Sequence, residues 1–136
     1  MTLFVDSSAL AKRYVDEPGR DLVLEAMAGD DVWCASALAR TEAMLTLHRV
    51  AATPRQADRL TLLLLADWDA FHVIPVDERC LATAAELGAN YGLAVSHAIH
   101  LAAATRLPKP VGYLSLDPRQ VSAAVALELD LVTSNP

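Results

Sequence analysis

Leu3-Phe4-Val5-Asp6-Ser7-Ser8 is the stretch from which the rest of the chain can be read. Three apolar residues bounded by an acid and two serines predict a buried strand that delivers one charged group to its C-terminal end. Ser7 and Ser8 are placed to cap a helix beginning near Ala9. In an open α/β sheet, ligands sit just beyond the carboxyl ends of the strands. If Asp6 is a ligand, other acids should reach the same crevice from far along the chain. Glu42 and Asp117 are placed to do so.

The 136 residues are 54% hydrophobic and 21% charged, which suits one globular domain over 1–136 and argues against disorder. Aromatics are only 5%, so the core must be built from Leu, Ala and Val. A net charge of −6 does not suit an electrostatic nucleic-acid clamp. It fits better with a local acid cluster that a cation neutralises. Nucleic acid would need metal ions or a local basic rim such as Lys12, Arg13, Arg40 and Arg49. Cys34 and Cys80 sit in apolar contexts with no second Cys nearby and read as reduced, buried thiols. The N-terminus has no basic segment, and the apolar run Leu60 to Ala66 ends at Asp67, too short to span a bilayer. These features predict a soluble, cytoplasmic protein.

Outward from the first strand, Ala9 to Val15 read as a short helix, broken by Asp16-Glu17-Pro18-Gly19. Asp21 to Ala28 form the next helix and Gly29 ends it. Val32 to Ala35 is a second strand. Ser36 caps a helix running to about Ala52, with Leu38, Leu45, Leu47 and Val50 on its buried side and Glu42 in its second turn. Thr53 and Pro54 start a helix carrying Leu60, Leu63, Leu64 and Trp68. Phe71 to Val76 is a third strand. Asp77 caps a helix with Leu81, Ala84, Ala85 and Leu87 as its apolar face, and Gly88 to Gly92 loosen the chain. Ser96 to Leu107 form an Ala-rich helix, and Gly112 to Leu116 a fourth strand ending in Asp117. Pro118 to Leu129 make the last helix and Leu131 to Thr133 a final strand. Strands alternating with helices predict a three-layer α/β/α domain with a mostly parallel sheet.

Asp6 and Asp117 share a context, each directly after a short apolar strand and before a helix. Two such carboxylates flanking a topological switch point can meet at one cation, and Glu42 can lean over that crevice. The plainer reading makes each acid a helix-terminal residue complementing the dipole. Ser7 or Ser8 could also orient Asp6 or hold a bound water. Ser115, two residues before Asp117, faces the same side and can hydrogen-bond the acids.

Four segments together resemble the PIN-domain ribonucleases of toxin–antitoxin systems, the VapC toxins. They are Phe4-Val5-Asp6-Ser7-Ser8-Ala9-Leu10-Ala11-Lys12, Ala35-Ser36 through Arg40-Thr41-Glu42, Tyr91 through Ala102, and Leu114-Ser115-Leu116-Asp117. The resemblance implies a PIN-like fold and a Mg²⁺- or Mn²⁺-dependent endoribonuclease. The metal would be held by Asp6, Glu42 and Asp117, with Ser7, Ser8 and Ser115 in support. It also implies an RNA substrate, a VapB-like antitoxin and a homodimer. In the third segment the family carries Asp directly before Ala-Ile-His-Leu-Ala, whereas this chain carries His97. Ala94 likewise replaces the polar residue that follows Gly-Leu in the family.

His97 thus occupies the fourth corner of the catalytic set. One carboxylate fewer weakens attraction for a hard dication, and neutral imidazole suits Mn²⁺ or Zn²⁺ better than Mg²⁺. A protonated His97 would act as an internal counter-ion. The expectation is weakened or lost cleavage, and the alternative is a catalytically inactive PIN-like module that binds RNA or an antitoxin. A receiver-type phosphoacceptor domain is disfavoured, since Asp6 stands alone at its strand and no lysine follows Asp117. His97 and His100 at i, i+3 could share a metal. The plainer reading of His100 is a packed histidine with one hydrogen bond. Asp67 and Asp69 lack an evident partner, and Asp77, Glu78 and Glu86 read as solvated helix surface. The leucines from Leu60 to Leu65 are either core or half of a groove for a dimer partner or antitoxin helix.

Overall fold

In the computed structural model, which describes residues 2–132, Thr2–Val5 forms β1. It is flanked on one side by β2 (Val32–Ser36) and on the other by β4 (Val111–Leu114). β3 (His72–Ile74) lies outside β2, and β5 (Asp130–Leu131) outside β4. All four pairings are parallel, in the order β3-β2-β1-β4-β5. A central parallel strand is covered on both faces, which is why Leu3, Phe4 and Val5 are all fully buried. The chain leaves β1 for β2 on one side and returns as β4 on the other. That reversal opens a crevice at the carboxyl ends of β1 and β4.

The helices are α1 (Ser7–Lys12), α2 (Arg20–Ala28), α3 (Ala37–Val50), α4 (Pro54–Trp68), α5 (Glu78–Tyr91), α6 (Val95–Ala104) and α7 (Val121–Ala126), with a 3-10 turn over Pro118–Gln120 before α7. Side chains alternate across β1 and so divide the core. Leu3 and Val5 join residues of α1 to α4 on one face, while Phe4 joins residues of α5, α6 and α7 on the other. Phe4 stacks on Tyr113 of β4, with centroids 5.6 Å apart and planes 7° from parallel. This is the predicted three-layer α/β/α architecture. Cys34 and Cys80 are free and buried in the Phe4 half of the core. Among the described residues no helix is long and apolar enough to cross a membrane.

Several local expectations are corrected. Asp6, not Ser7 or Ser8, is the N-cap of α1, its carboxylate accepting from the Ala9 amide at 3.0 Å. α1 ends at Lys12 instead of Val15. α5 continues through Gly88 and stops only where Gly92 takes a left-handed φ of 64°. The third strand is three residues long, not six. The predicted last helix is the 3-10 turn plus the short α7, and Thr133 of the predicted last strand lies outside the described residues.

The buried faces of α3 and α5 are made largely by small residues, which let backbones approach closely. α3 buries Ala39, Ala43 and Leu47, leaving Leu45 and Val50 exposed. α5 buries Cys80, Ala84 and Leu87 and exposes Leu81. The α4 leucines divide: Leu60 and Leu64 are core, Leu62 and Leu63 are exposed.

Asp67 has partners after all. It accepts from Arg13 Nε at 3.0 Å and Tyr14 Oη at 2.7 Å, and Arg13 also lies over the Trp33 ring. Arg13 is thereby withdrawn from the expected basic rim. Burial, reinforced by Asp67, pushes the Tyr14 phenol above its ordinary range. Asp77 caps α5 and pairs with Arg106, so it is more than solvated surface.

Candidate active site

Asp6 follows β1 directly and is only 1% exposed. A buried carboxylate must be matched by donors, and Asp6 has four. Oδ1 accepts from Ser8 Oγ at 2.8 Å and the Ala9 amide at 3.0 Å. Oδ2 accepts from Ser115 Oγ at 2.6 Å and Gln120 Nε2 at 3.1 Å. Gln120 is in turn held by Tyr113, whose hydroxyl donates to Gln120 Oε1 at 2.5 Å. Burial, together with the charges of Asp6 and Asp117, pushes the Tyr113 phenol well up, so it remains a donor.

Asp117 stands two residues beyond Ser115. Its amide donates to Ser115 Oγ at 3.1 Å, and the Leu116 amide donates to Ser8 Oγ at 3.3 Å. Its carboxylate accepts from Arg119, through the amide and Nε to Oδ1 and through the second guanidinium nitrogen to Oδ2, each at 3.0 Å. His97 Nε2 lies 2.9 Å from Oδ2. The Arg119 hydrogen bonds, chiefly, hold the Asp117 carboxyl below the usual carboxylate range against a smaller opposing effect of burial, with His97 assisting.

Glu42 reaches the same edge from α3. Its Oε1 accepts from Ser7 Oγ at 3.0 Å and from His100 Nε2 at 2.6 Å. Burial alone would raise the Glu42 carboxyl, but the donors His100, Ser7 and Ser96 outweigh it and leave it lowered.

All four predicted residues therefore lie at the carboxyl edge of the sheet and are tied into one network. Ser7 adjoins Asp6 and holds Glu42, while Ser115 joins Asp6 to Asp117, which bonds His97. They do not close on one point. Among the described residues no three of the acid, histidine or cysteine type stand close enough to hold a single cation. Glu42 lines a cleft of about 230 Å³ with Ser7, Ser8 and Arg49, whereas Asp117 and Ser115 line another of about 240 Å³. Oxygen donors of this kind suit Mg²⁺ or Mn²⁺ in chemistry. The arrangement, with protein donors on every carboxylate, does not present a ready cluster. His97 and His100 turn to different acids, so the shared-metal spacing is not used.

His100, read as a packed histidine with one hydrogen bond, is indeed buried at 1% exposure but makes two, because Ser36 Oγ also lies 2.9 Å from its Nδ1. Two participants, Gln120 and Arg119, escaped sequence reading, and no local signal pointed to either.

The depressed carboxyls carry a prediction about acid stability. A folded-state value below the unfolded one means stability that is present above the unfolded value and lost as pH falls through the folded one. The urea midpoint should therefore fall below about pH 4.5, where free carboxylates begin to protonate. Glu42→Gln should flatten part of that fall. A midpoint that rises on acidification would contradict the donor assignments of Glu42 and Asp117.

Residues 3–124 match the family model described as PIN domain. The chain belongs to the PIN-domain family. This PIN-domain chain is 34% identical over 131 residues to Ribonuclease VapC46 of Mycobacterium tuberculosis (strain ATCC 25618 / H37Rv), covering 96% of the chain and 95% of that relative. Its likeness within the PIN-domain family is thus to the VapC type. Among solved structures it superimposes on VapBC2 from Rickettsia felis bound to a promoter DNA fragment, with a TM-score of 0.68, 11% identity and coverage of 96% and 98%. A toxin–antitoxin complex from Klebsiella pneumoniae gives a TM-score of 0.68, 20% identity and coverage of 98% and 97%. At such identities these structures establish the PIN-like fold alone.

Proposed function

We propose that this PIN-domain chain acts as a single domain and is the endoribonuclease toxin of a VapBC-type toxin–antitoxin pair. The observation that carries the reading is the placement of Asp6, Glu42 and Asp117 at one carboxyl edge, joined through Ser7 and Ser115, in a chain so similar to Ribonuclease VapC46. For Asp6, Glu42 and Asp117 to hold a Mg²⁺ or Mn²⁺ ion, their carboxylates would have to turn toward it and exchange present protein donors for the ion. Such an ion supplies Lewis-acid activation of water and of the phosphodiester. The chain supplies the rest. Asp6 is the fixed acid, locked by its four donors. Asp117 is the exchangeable one, because its Arg119 partner is 76% exposed and free to turn toward an RNA phosphate. Arg49, beside Glu42, offers a second cation to the backbone.

A VapB-like antitoxin would cover apolar side chains such as Leu62 and Leu63, and a homodimer would bury others. The inactive-module reading is favoured by one observation. His97 bonds Asp117 where a fourth acid would otherwise add charge. The deciding experiment is incubation of the purified chain with single-stranded RNA in Mn²⁺ or Mg²⁺, with and without EDTA. Internal cleavage that EDTA stops is the expected outcome. RNA bound but left intact in either metal would select the inactive module.

A further inference from the structure

Ser36 occupies the N-cap position of α3, yet its hydroxyl makes no capping hydrogen bond there. A serine at that position normally accepts from a first-turn amide and so stabilises the helix. Here the fully buried hydroxyl lies instead against His100 Nδ1 at 2.9 Å, 64 residues away in sequence. On its other side His100 meets Glu42 Oε1 at 2.6 Å. An ionised carboxylate can only accept, so Nε2 carries the hydrogen in that contact. In the neutral ring Nδ1 is then an acceptor, and the Ser36 hydroxyl donates to it. The Glu42 carboxylate thus selects the tautomer, and the Ser36 hydroxyl, donating to the opposite nitrogen, holds the ring in the orientation that aims Nε2–H at this site acid. Ser7 donates to the same Glu42 oxygen at 3.0 Å, so neither of these contacts occupies Oε2, and Ser96 is a further donor to the carboxylate.

We propose that Ser36 and His100 form a positioning pair that orients the Glu42 carboxylate and presents its second oxygen to the reaction site. The proposal deepens the reading of Glu42 as a site acid and rests on it. Neither residue touches the reacting atoms. They act through Glu42, as supporting partners of site ligands do elsewhere.

The test separates positioning from bulk packing through two amides. The amide nitrogen of Gln reaches the place of Nε2, whereas that of Asn reaches only the place of Nδ1. Mn²⁺ affinity, measured by titration with electron paramagnetic resonance detection of the free ion, is read beside the thermal midpoint. His100→Asn should weaken Mn²⁺ binding by about 10- to 100-fold, and His100→Gln should restore most of it. Ser36→Ala, which removes no helix cap, should weaken binding in the same direction with little change in midpoint. It keeps the test open if a His100 variant fails to fold.

Long-range ¹⁵N–¹H correlation should show the Nε2-protonated tautomer in the wild type and lose that preference in Glu42→Ala, where the acceptor is gone; an Nδ1-protonated ring in the wild type would overturn the pair. Equal Mn²⁺ affinity in the three His100 and Ser36 variants and the wild type overturns the positioning pair while leaving Glu42 a site acid. A wild-type chain that binds no Mn²⁺ overturns the reading of Glu42 itself, and the pair with it.

Discussion

Replacing His97 with aspartate is expected to raise Mg²⁺-dependent RNA cleavage by roughly 10- to 100-fold, the span by which a group adjoining a metal site alters affinity or activity. The argument starts from Asp117. His97 Nε2 sits 2.9 Å from Oδ2 and competes for the oxygen that a cation would use. An aspartate at position 97 removes that donor and takes the site from three formal negative charges to four. Two carboxylates about 4 Å apart repel by roughly 4 kcal/mol at an effective dielectric near 20, and a dication relieves that repulsion. The gain should be larger with Mg²⁺ than with Mn²⁺, since imidazole is poorly suited to Mg²⁺ and tolerable to Mn²⁺.

Repulsion also has a signature that needs no RNA. In EDTA, His97→Asp should melt below the wild type, and added Mg²⁺ should raise its midpoint more than it raises the wild type's. Equal cleavage rates in Mg²⁺ for the two proteins would show that the histidine does not impair the site.

The contrast between Asp117 and His100 shows what a sequence can disclose. Asp6 and Asp117 were legible because buried parallel strands read as largely apolar runs, so the first charge after each run lies near its carboxyl end, directly after β1 for Asp6 and three residues beyond β4 for Asp117. The alternation of such runs with helical stretches was enough to indicate the three layers. Faces of helices were less legible, because apolar periodicity gives weight to leucine. α3 instead buries Ala39 and Ala43 to admit its neighbours and leaves Leu45 in solvent.

Side-chain partnerships across the sheet edge were not legible at all. The His100–Glu42 and Gln120–Asp6 pairs span 58 and 114 residues, and no local rule links their members. Ser36 misled for the same reason: its local role as a cap gives way to a tertiary one. The expected convergence of three acids on one ion was likewise beyond local reading, because it depends on which donors each carboxylate has already acquired.

Asp6 carries the second large expectation, a loss of cleavage by roughly a thousandfold in both Asp6→Asn and Asp6→Ala, corresponding to several kcal/mol of transition-state stabilisation. The two variants should part company in stability. Alanine leaves the donors Ser8, Ser115 and Gln120 without their acceptor in a buried place and removes the cap of α1. That combination should cost about 2 to 4 kcal/mol. Asparagine can keep its carbonyl toward Ser8 and the Ala9 amide and turn its NH₂ toward Ser115 and Gln120.

The neighbours can answer that reversal. The Ser115 hydroxyl can accept, and Gln120 can flip so that its carbonyl faces residue 6 and its amide faces the Tyr113 hydroxyl, which accepts in turn. Asp6→Asn should therefore lose no more than about 1 kcal/mol while losing the charge. Urea unfolding of the three proteins beside RNA cleavage in Mn²⁺ provides the comparison. An asparagine variant that folds as the wild type does and cleaves as fast would remove Asp6 from the chemistry and leave it a helix cap.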